Sequence, residues 1–220
     1  MEFDLSNINL SEPVAELIGA IIGDGCIRYK PKLNQYYLEI VGNKNEEKDY
    51  FSYLQKILKE ELKLKSYLKE IERGLRLKVY SKKFIEFLIY DLGLSYNKGK
   101  GETVKIPDKI IDNPYLINHC IRGICDTDGS LFLTKKSHRL DYPVIEISTT
   151  SIKLAKQLNK ELSKILRISF RSYKPKNFLR IYRISINGNK MVNKWIKEIG
   201  FSNPINTKRY EKIKSGDAGI

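Results

Sequence analysis

Two aspartates stand at the ends of similar apolar runs, and their type and spacing point most clearly to chemistry. Asp24 lies in LIGAIIGDG at 17–25, and Asp128 lies in IRGICDTDG at 121–129, 104 positions later. A single Asp-Gly pair is a common surface turn. A matched pair of carboxylates at helix ends is unfavourable, because each opposes the helix dipole and the two repel each other. A divalent cation relieves both effects, and a set of oxygen ligands favours Mg²⁺.

The similarity between the two runs continues downstream, so the sequence contains an internal repeat. YLEIVGN at 37–43 matches VIEISTT at 144–150, and the segment 76–95 matches 183–202 without a gap, both 107 positions later. The aligned pairs are Glu39 with Glu146, Arg76 with Arg183, Val79 with Ile186, Gly93 with Gly200 and Ser95 with Ser202. We divide the chain into a first repeat at 1–95, a linker at 96–112 and a second repeat at 113–220. The linker is assigned from its Gly-, Lys- and Pro-rich composition.

Each repeat is predicted to have the element order αββαββα. The first helix is the apolar run, with Ser11 and Asn113 as predicted N-caps, each followed by a proline in the first turn. The fourth segment, after the first two strands, is a helix with apolar residues such as Phe51, Leu54 and Leu58 at helical spacing. Strands are predicted in CIRYKPK, QYYLEIVG, KSYLKEIE and LRLKVYS, and in SLFLTKKS, PVIEISTT, ISFRSYKP and LRIYRISI. The predicted class is α+β with two four-stranded antiparallel sheets.

Small residues at helical spacing predict how the two repeats meet. Gly19 and Gly23 share one face of the first helix, and Gly123 and Thr127 share one face of its counterpart. Small residues at these positions let two helix backbones approach closely. A pseudo-twofold axis between the repeats would pack the two helices together and bring the two aspartates near each other.

The charge predicts a polyanionic partner. The chain has 40 Lys and Arg against 26 Asp and Glu, a net charge of +14 and a pI near 9.5. The basic residues are spread over many segments, which favours a broad basic surface on a folded body. No apolar run approaches the ~18 residues that a membrane helix needs, so we expect no membrane association.

The cysteine content and the N-terminus predict an intracellular location, either cytoplasm or nucleoid, or an organelle in a eukaryote. The three cysteines fit neither a disulfide framework nor a zinc site, and the N-terminal residues lack the pattern of a secretory signal.

The paired runs, each opening an αββαββα unit in a basic chain, resemble the LAGLIDADG homing endonucleases in their monomeric two-repeat form. The resemblance covers nearly the whole chain. The first run departs from the motif at its sixth position, where Ile22 replaces Asp, whereas the second keeps Asp126 there. The metal-binding acid of the family is the later one, which corresponds to Asp24 and Asp128. We therefore interpret Asp126 as a helix-end or capping residue.

This resemblance implies a monomeric, site-specific endonuclease that cleaves a long, asymmetric double-stranded DNA target by Mg²⁺-dependent phosphodiester hydrolysis. Mn²⁺ is expected to replace Mg²⁺. The resemblance further implies that the two sheets form a saddle in the major groove. In the family, the carbonyl groups of the residues before the acids, here Gly23 and Thr127, complete the metal sites.

The family also places a basic residue near the metal. Lys98 and Lys208 each follow the last helix of a repeat, and they are the predicted catalytic lysines. Lys100 and Lys105 are rival candidates, and a solvated lysine without a catalytic role remains an alternative.

One face of each sheet is predicted to contact DNA, because residues two apart on a strand share a face. The predicted DNA-binding residues are Arg28, Lys30, Lys32, Gln35, Tyr37, Arg76, Lys78, Lys135, Arg171, Tyr173 and Arg183. Lys32 joins this face only if its strand continues through Pro31. Arginine can bind guanine and glutamine can bind adenine, whereas many basic residues contact only phosphates.

Two other functions fit the same resemblance. One is an RNA maturase, which would bind intron RNA and assist splicing. The other is a non-catalytic DNA-binding protein or regulator of this fold. Intact acids in both motifs favour the nuclease over both, and we expect a regulator of this fold to carry an added DNA-binding domain, for which these 220 residues leave no room.

Overall fold

Two apolar helices form the centre of the molecule. The computed structural model describes residues 8–72, 74–97, 100–136 and 139–215. The central helices are α1, Glu12–Asp24, and α6, Ile117–Asp128. Every residue from Val14 to Ile22 is buried, as expected for a helix that is apolar on nearly all sides.

Each central helix leads directly into a four-stranded sheet. The first sheet contains β1 (Gly25–Lys30), β2 (Gln35–Gly42), β3 (Ser66–Ile71) and β4 (Gly74–Tyr80) in the order β1-β2-β4-β3. The second contains β5 (Gly129–Lys136), β6 (Arg139–Thr149), β7 (Ile168–Tyr173) and β8 (Ile181–Asn187) in the order β5-β6-β8-β7. All neighbouring strands are antiparallel. The identical strand orders confirm the predicted fold class.

The remaining helices lie mainly on the inner faces of the sheets and in the linker. They are α2 (Lys48–Glu60), α3 (Lys82–Glu86, continued by a π-helical turn at Phe87–Asp91), α4 (Lys100–Thr103), α5 (Asp108–Ile111), α7 (Ile152–Ser163), α8 (Asn189–Glu198) and α9 (Pro204–Ser215). The predicted apolar face of α2 is buried, with Phe51, Leu54 and Leu58 almost fully inaccessible. None of the helices in the described ranges is long and apolar enough to cross a membrane.

The predicted start of the second central helix is wrong by several residues. Asn113 accepts a hydrogen bond from the Tyr115 N–H at 3.0 Å, and α6 begins only at Ile117. An asparagine side chain that bonds the backbone two residues on forms a turn in place of a helix cap. Ser11, by contrast, does occupy the N-cap position of α1, although its hydroxyl donates to Glu61.

The first strand is shorter than predicted. β1 ends at Lys30, and Pro31–Leu33 forms a 3-10 turn that ends at Asn34 with φ of 49°. Proline has no N–H and a fixed φ, so it does not continue the pairing. Lys32 therefore does not share a strand face with Arg28 and Lys30, which corrects that part of the prediction.

The segment that composition marks as a linker is docked on the second repeat. Val104 and Ile106 are buried. Gln157 on α7 bonds both the N–H and the carbonyl of Ile106, at 2.8 and 3.0 Å, and the Ser151 hydroxyl donates to the Val104 carbonyl at 2.6 Å. These bonds fix the path of the chain between the repeats.

The central helices cross with their backbones in direct contact. A Cβ atom added at Gly19 would overlap the Cys120 carbonyl oxygen and stand 3.0 Å from the Ile124 nitrogen. A Cβ atom added at Gly123 would overlap the Glu16 carbonyl oxygen in the reciprocal way. Only glycine leaves enough room at these two positions for this crossing.

We predict that Gly19→Ala and Gly123→Ala each destabilise the protein by about 1–3 kcal/mol or more, because the backbones would have to move apart. Thermal unfolding measures this, with Lys59→Ala on the exposed face of α2 as a control that should leave the midpoint nearly unchanged. An unchanged midpoint in both glycine variants would contradict the tight crossing.

Candidate metal centre and nucleic-acid interface

The two central helices present their last residues, Asp24 and Asp128, at the same end of the crossing. Both helices stop there because the next residues, Gly25 and Gly129, adopt extended backbone and begin a strand. A Cβ atom added at Gly23 would stand 3.5 Å from the Asp128 carboxyl carbon and would overlap the Thr127 hydroxyl. The missing side chain at Gly23 therefore keeps the space between the two helix ends open.

The oxygen atoms at the C-terminal ends of α1 and α6 suit a hard divalent cation. Asp24 is exposed and Asp128 is half-buried. The Thr127 hydroxyl donates to the carbonyls of Gly123 and Ile124, at 3.0 and 3.1 Å, so its side chain is turned towards its own helix. Carboxylates and backbone carbonyls are the donors that Mg²⁺ accepts, together with water and substrate phosphates.

The described ranges contain no group of three or more His, Cys, Asp or Glu side chains arranged to hold a metal ion. The predicted set of Asp24, Asp128 and the carbonyls of Gly23 and Thr127 fits Mg²⁺ by the chemistry of its donors. A cleft of 340 Å³ opens beside it, lined by Gly23, Asp128 and Thr150 among others.

Of the four candidate lysines, the structure describes the side chains of Lys105 and Lys208. Lys98 lies outside the described residues, as does the side chain of Lys100. Lys105 is paired with Asp108, with both carboxylate oxygens 2.9 Å from its Nζ. Lys208 is exposed on α9 and lines a groove formed with the loop before α2, and neither acid is among the residues lining that groove. A catalytic role for Lys208 stays a prediction.

Asp126 caps the turn before α9, a contact that the sequence analysis did not predict. Its side chain is 3% exposed, and its Oδ2 atom accepts the backbone N–H groups of Ser202 and Asn203 at 2.7 and 3.1 Å. The Asn203 side chain donates to the Asp126 carbonyl at 3.0 Å. Asp126 therefore has a capping role, but it anchors the start of α9 rather than the end of its own helix.

Burial raises the pKa of the Asp126 carboxyl to about 7. The N–H groups of Ser202 and Asn203 lower this pKa, and the negative charge of Glu16 raises it further. The unfolded chain ionises this carboxyl near its ordinary pKa of 3.8. The raised pKa therefore stabilises the fold below about pH 4, and this contribution is lost as the pH rises through about 7.

We predict that Asp126→Asn removes a fall in stability between about pH 4 and about pH 7. An amide keeps an acceptor for the two N–H groups but never ionises. Urea unfolding of the wild type and the variant across this range measures the difference, with Asp91→Asn, an exposed carboxylate, as the control. The variant should gain stability relative to the wild type as the pH rises, and parallel profiles would show that Asp126 does not titrate in this way.

A buried ion pair across the repeats was missed by sequence reasoning. Glu16 on α1 is 1% exposed and accepts hydrogen bonds from Arg122 Nη1 and the Tyr53 hydroxyl, both at 3.2 Å. Arg122 on α6 also donates its Nε–H to the Ile199 carbonyl at 2.6 Å. The signal in the sequence was a charged residue in or beside each apolar run, since such residues are buried only when paired.

The outer face of the first sheet collects most of the predicted DNA-binding residues. Strand register places Arg28 opposite Tyr37, and Lys30 opposite Gln35. Lys78 lies with its Nζ 3.8 Å from the centre of the Tyr37 ring. The predicted DNA-binding residues on this face are Arg28, Lys30, Gln35, Tyr37, Arg76 and Lys78, and the inner face is covered by helices.

The outer face of the second sheet is less basic. Arg171 and Arg183 are direct partners on β7 and β8. Arg183 donates an Nη2 hydrogen to the Tyr173 hydroxyl at 3.0 Å and lies over its ring. Lys135 is exposed where the register of β5 and β6 shifts, so its side chain is not fixed by the regular alternation.

Two carboxylates, at positions that the repeat aligns, also lie on these faces. Glu39 lies 3.3 Å from Arg76 Nε and 3.7 Å from Lys78 Nζ. Glu146 lies 3.4 Å from Arg183 Nε and accepts a hydrogen bond from Ser185 at 2.9 Å. Each sheet therefore carries an acidic group in the middle of its outer face, beside at least one arginine.

Comparison with solved structures finds LAGLIDADG proteins. The chain superposes on I-DmoI, solved in complex with DNA and Mn, with a TM-score of 0.60, 21% identity and coverage of 88% of this chain and 99% of that one. I-WcaI, a homing endonuclease bound to its DNA recognition sequence, matches with a TM-score of 0.61, 15% identity and coverage of 92% and 87%.

A third structure is full-length DUF199/WhiA from Thermatoga maritima, with a TM-score of 0.55 and 13% identity. The match covers 99% of this chain and 64% of that protein. No family model and no curated protein matches the sequence. The structural likenesses show that the chain has the two-repeat LAGLIDADG fold, and they confirm the predicted saddle of two sheets.

Proposed function

We propose that this protein is a Mg²⁺-dependent, site-specific double-strand DNA endonuclease. The observation that carries the proposal is the glycine crossing, which places Asp24 and Asp128 at one end of the helix pair. That end opens between two sheets whose outer faces carry arginine, lysine and tyrosine side chains. The complexes of I-DmoI with DNA and Mn and of I-WcaI with its recognition sequence support the same reading.

In the proposed reaction, different residues of this chain would bind the metal ion and position the DNA. Asp24 and Asp128, with the carbonyls of Gly23 and Thr127, would hold Mg²⁺ beside the scissile phosphates. The bound ion would lower the pKa of water and neutralise charge on the phosphate oxygens. Basic and polar residues on the sheets would position the DNA through its phosphates and its major-groove edges. We propose a monomer and a target whose two halves differ, because the two faces differ.

A DNA-binding protein without cleavage is the second candidate. It is favoured by the position of Lys208, which lines a groove that neither Asp24 nor Asp128 lines. This candidate would use the same sheet faces but would not need two acids at the helix ends. A comparison of binding with cleavage therefore separates the two functions.

We predict that Asp24→Asn and Asp128→Asn each lower double-strand cleavage by about 100-fold or more, because each variant removes a carboxylate ligand from the metal centre. Binding should change little. The substrate is a plasmid carrying the host locus without this coding sequence, incubated with the purified protein and Mg²⁺, with EDTA and Asp91→Asn as controls.

A single Mg²⁺-dependent cut that both acid variants lose would support the endonuclease. Specific binding without any cut would support the second candidate. Stimulated splicing of the host transcript, with no effect on DNA, would point to an RNA maturase. Full cutting by either acid variant would exclude the shared centre.

We predict that binding to duplex DNA weakens by roughly 10³-fold or more between about 50 and 200 mM salt, because several phosphate contacts release counterions. Arg28→Ala combined with Lys30→Ala should reduce the slope of log affinity against log salt by about 2. The matched control is Lys56→Ala with Lys59→Ala on α2, on the other side of the sheet. An equal change in slope for both pairs would contradict docking through the outer face.

A further inference from the structure

We propose that Glu39 with Arg76, and Glu146 with Arg183, are matched pairs that each bind a G·C base pair at equivalent places in the two halves of the target. This proposal rests on the proposed function, since it requires that the sheet faces dock in the grooves of DNA. It adds a statement about the target sequence that the fold alone does not provide.

The two glutamates occupy the same place in the two sheets. Glu39 on β2 lies opposite Cys26 on one side and Lys78 on the other. Glu146 on β6 lies opposite Ser130 and Ser185, the positions that correspond to them in the second sheet. Both side chains are half-buried at the middle of the outer face.

The two arginines also occupy equivalent places. Arg76 on β4 pairs with Val41 and Lys69, and Arg183 on β8 pairs with Ser148 and Arg171. Each arginine is therefore diagonal to the glutamate of its own sheet. Because the two sheets have the same strand order, we expect the two pairs to lie at similar distances from the centre of the saddle.

In both pairs the same part of the guanidinium faces the carboxylate. Arg76 Nε lies 3.3 Å from a Glu39 oxygen, and Arg183 Nε lies 3.4 Å from a Glu146 oxygen. The arginine side chains remain 38% and 43% exposed. Neither Nε–H makes a hydrogen bond among the described residues, so each contact is a close ion pair that holds the carboxylate beside the guanidinium. The terminal amino groups keep hydrogens for a ligand, although Arg183 gives one Nη2 hydrogen to Tyr173. An ordered guanidinium loses less conformational entropy when it binds.

Phosphate binding does not explain the glutamates, because a carboxylate on a face that meets phosphates weakens binding. Base-pair chemistry does explain them. Arginine donates to O6 and N7 of guanine, and a carboxylate accepts from the N4 amino group of cytosine. An arginine beside a glutamate can therefore contact both the guanine and the cytosine of one G·C pair in the major groove. An adenine would present its own amino donor to the arginine.

The neighbours of the two pairs differ, so the pairs are not expected to be equally rigid. Tyr173 accepts an Nη2 hydrogen from Arg183. In the first sheet the corresponding strand position is occupied by Ile71, which offers no side-chain acceptor. Lys78 adds a second cation beside Glu39, where the second sheet has Ser185.

The test is a selection of bound duplexes from randomised DNA in the absence of Mg²⁺, performed with the wild type and with single variants. The wild type should enrich a sequence with two G·C pairs equidistant from its centre. Arg76→Ala should lose about 10- to 100-fold of the preference at one of these positions and keep the other. Arg183→Ala should have the opposite effect.

Glu39→Gln and Glu146→Gln separate base contact from a structural role. Each should weaken the preference for G·C at its own position while raising affinity for random duplex DNA, because a negative charge is removed. The matched controls are Lys59→Ala and Glu60→Gln, which make the same charge changes on the exposed side of α2. Thermal unfolding verifies that every variant is folded.

Three results are decisive. An enriched sequence without an equidistant G·C pair would overturn this inference and leave the proposed function standing. Arginine or glutamate variants that alter affinity for all sequences equally would also overturn it. No enriched sequence at all would overturn both this inference and the proposed function.

Discussion

The direct contact between the backbones of α1 and α6 is the constraint on which the rest of the structure depends. Gly19 and Gly123 permit it, because any side chain at either position would overlap a carbonyl oxygen of the other helix. Gly23 lacks a side chain that would overlap Thr127 at the helix ends, and this keeps space between the aspartates. A wider crossing would separate the two carboxylates, and one cation environment could no longer serve both. The sheets follow, since each begins at the residue after its helix.

The two repeats have the same element order, but different hydrogen bonds hold the segment that follows the last strand pair and helix of each. In the second repeat, buried Asp126 holds the turn that starts α9. In the first repeat Ile22 takes the place of that carboxylate, and Asn97 bonds instead to β1. The Asn97 side chain exchanges hydrogen bonds with the backbone of Tyr29, at 2.8 and 3.1 Å, and its N–H donates to Ile27 at 2.9 Å. The loss of one acid in the motif therefore coincides with a different anchor for the chain that follows.

Sequence reasoning predicted the repeat, the element order and the faces of the strands, because apolar periodicity and offsets of 104 and then 107 residues between the repeats determine them together. It failed where local chemistry competes with periodicity. Pro31 ends β1 and removes Lys32 from the face, and Asn113 makes a turn before α6. It also missed partners that only tertiary packing brings together, such as Glu16 with Arg122, and the docking of Val104 and Ile106.

The burial of α1 on nearly all sides has a consequence during synthesis. Its sequence counterpart in α6 lies 104 residues downstream, which a ribosome adding ~5–20 residues per second completes after roughly 5–20 s. Until then α1 lacks its partner helix and part of its apolar surface is uncovered, even if the first sheet has already formed. The nascent half is therefore exposed to aggregation or to pairing with another copy. Two repeats that look like separate units in sequence must complete folding as one cooperative body.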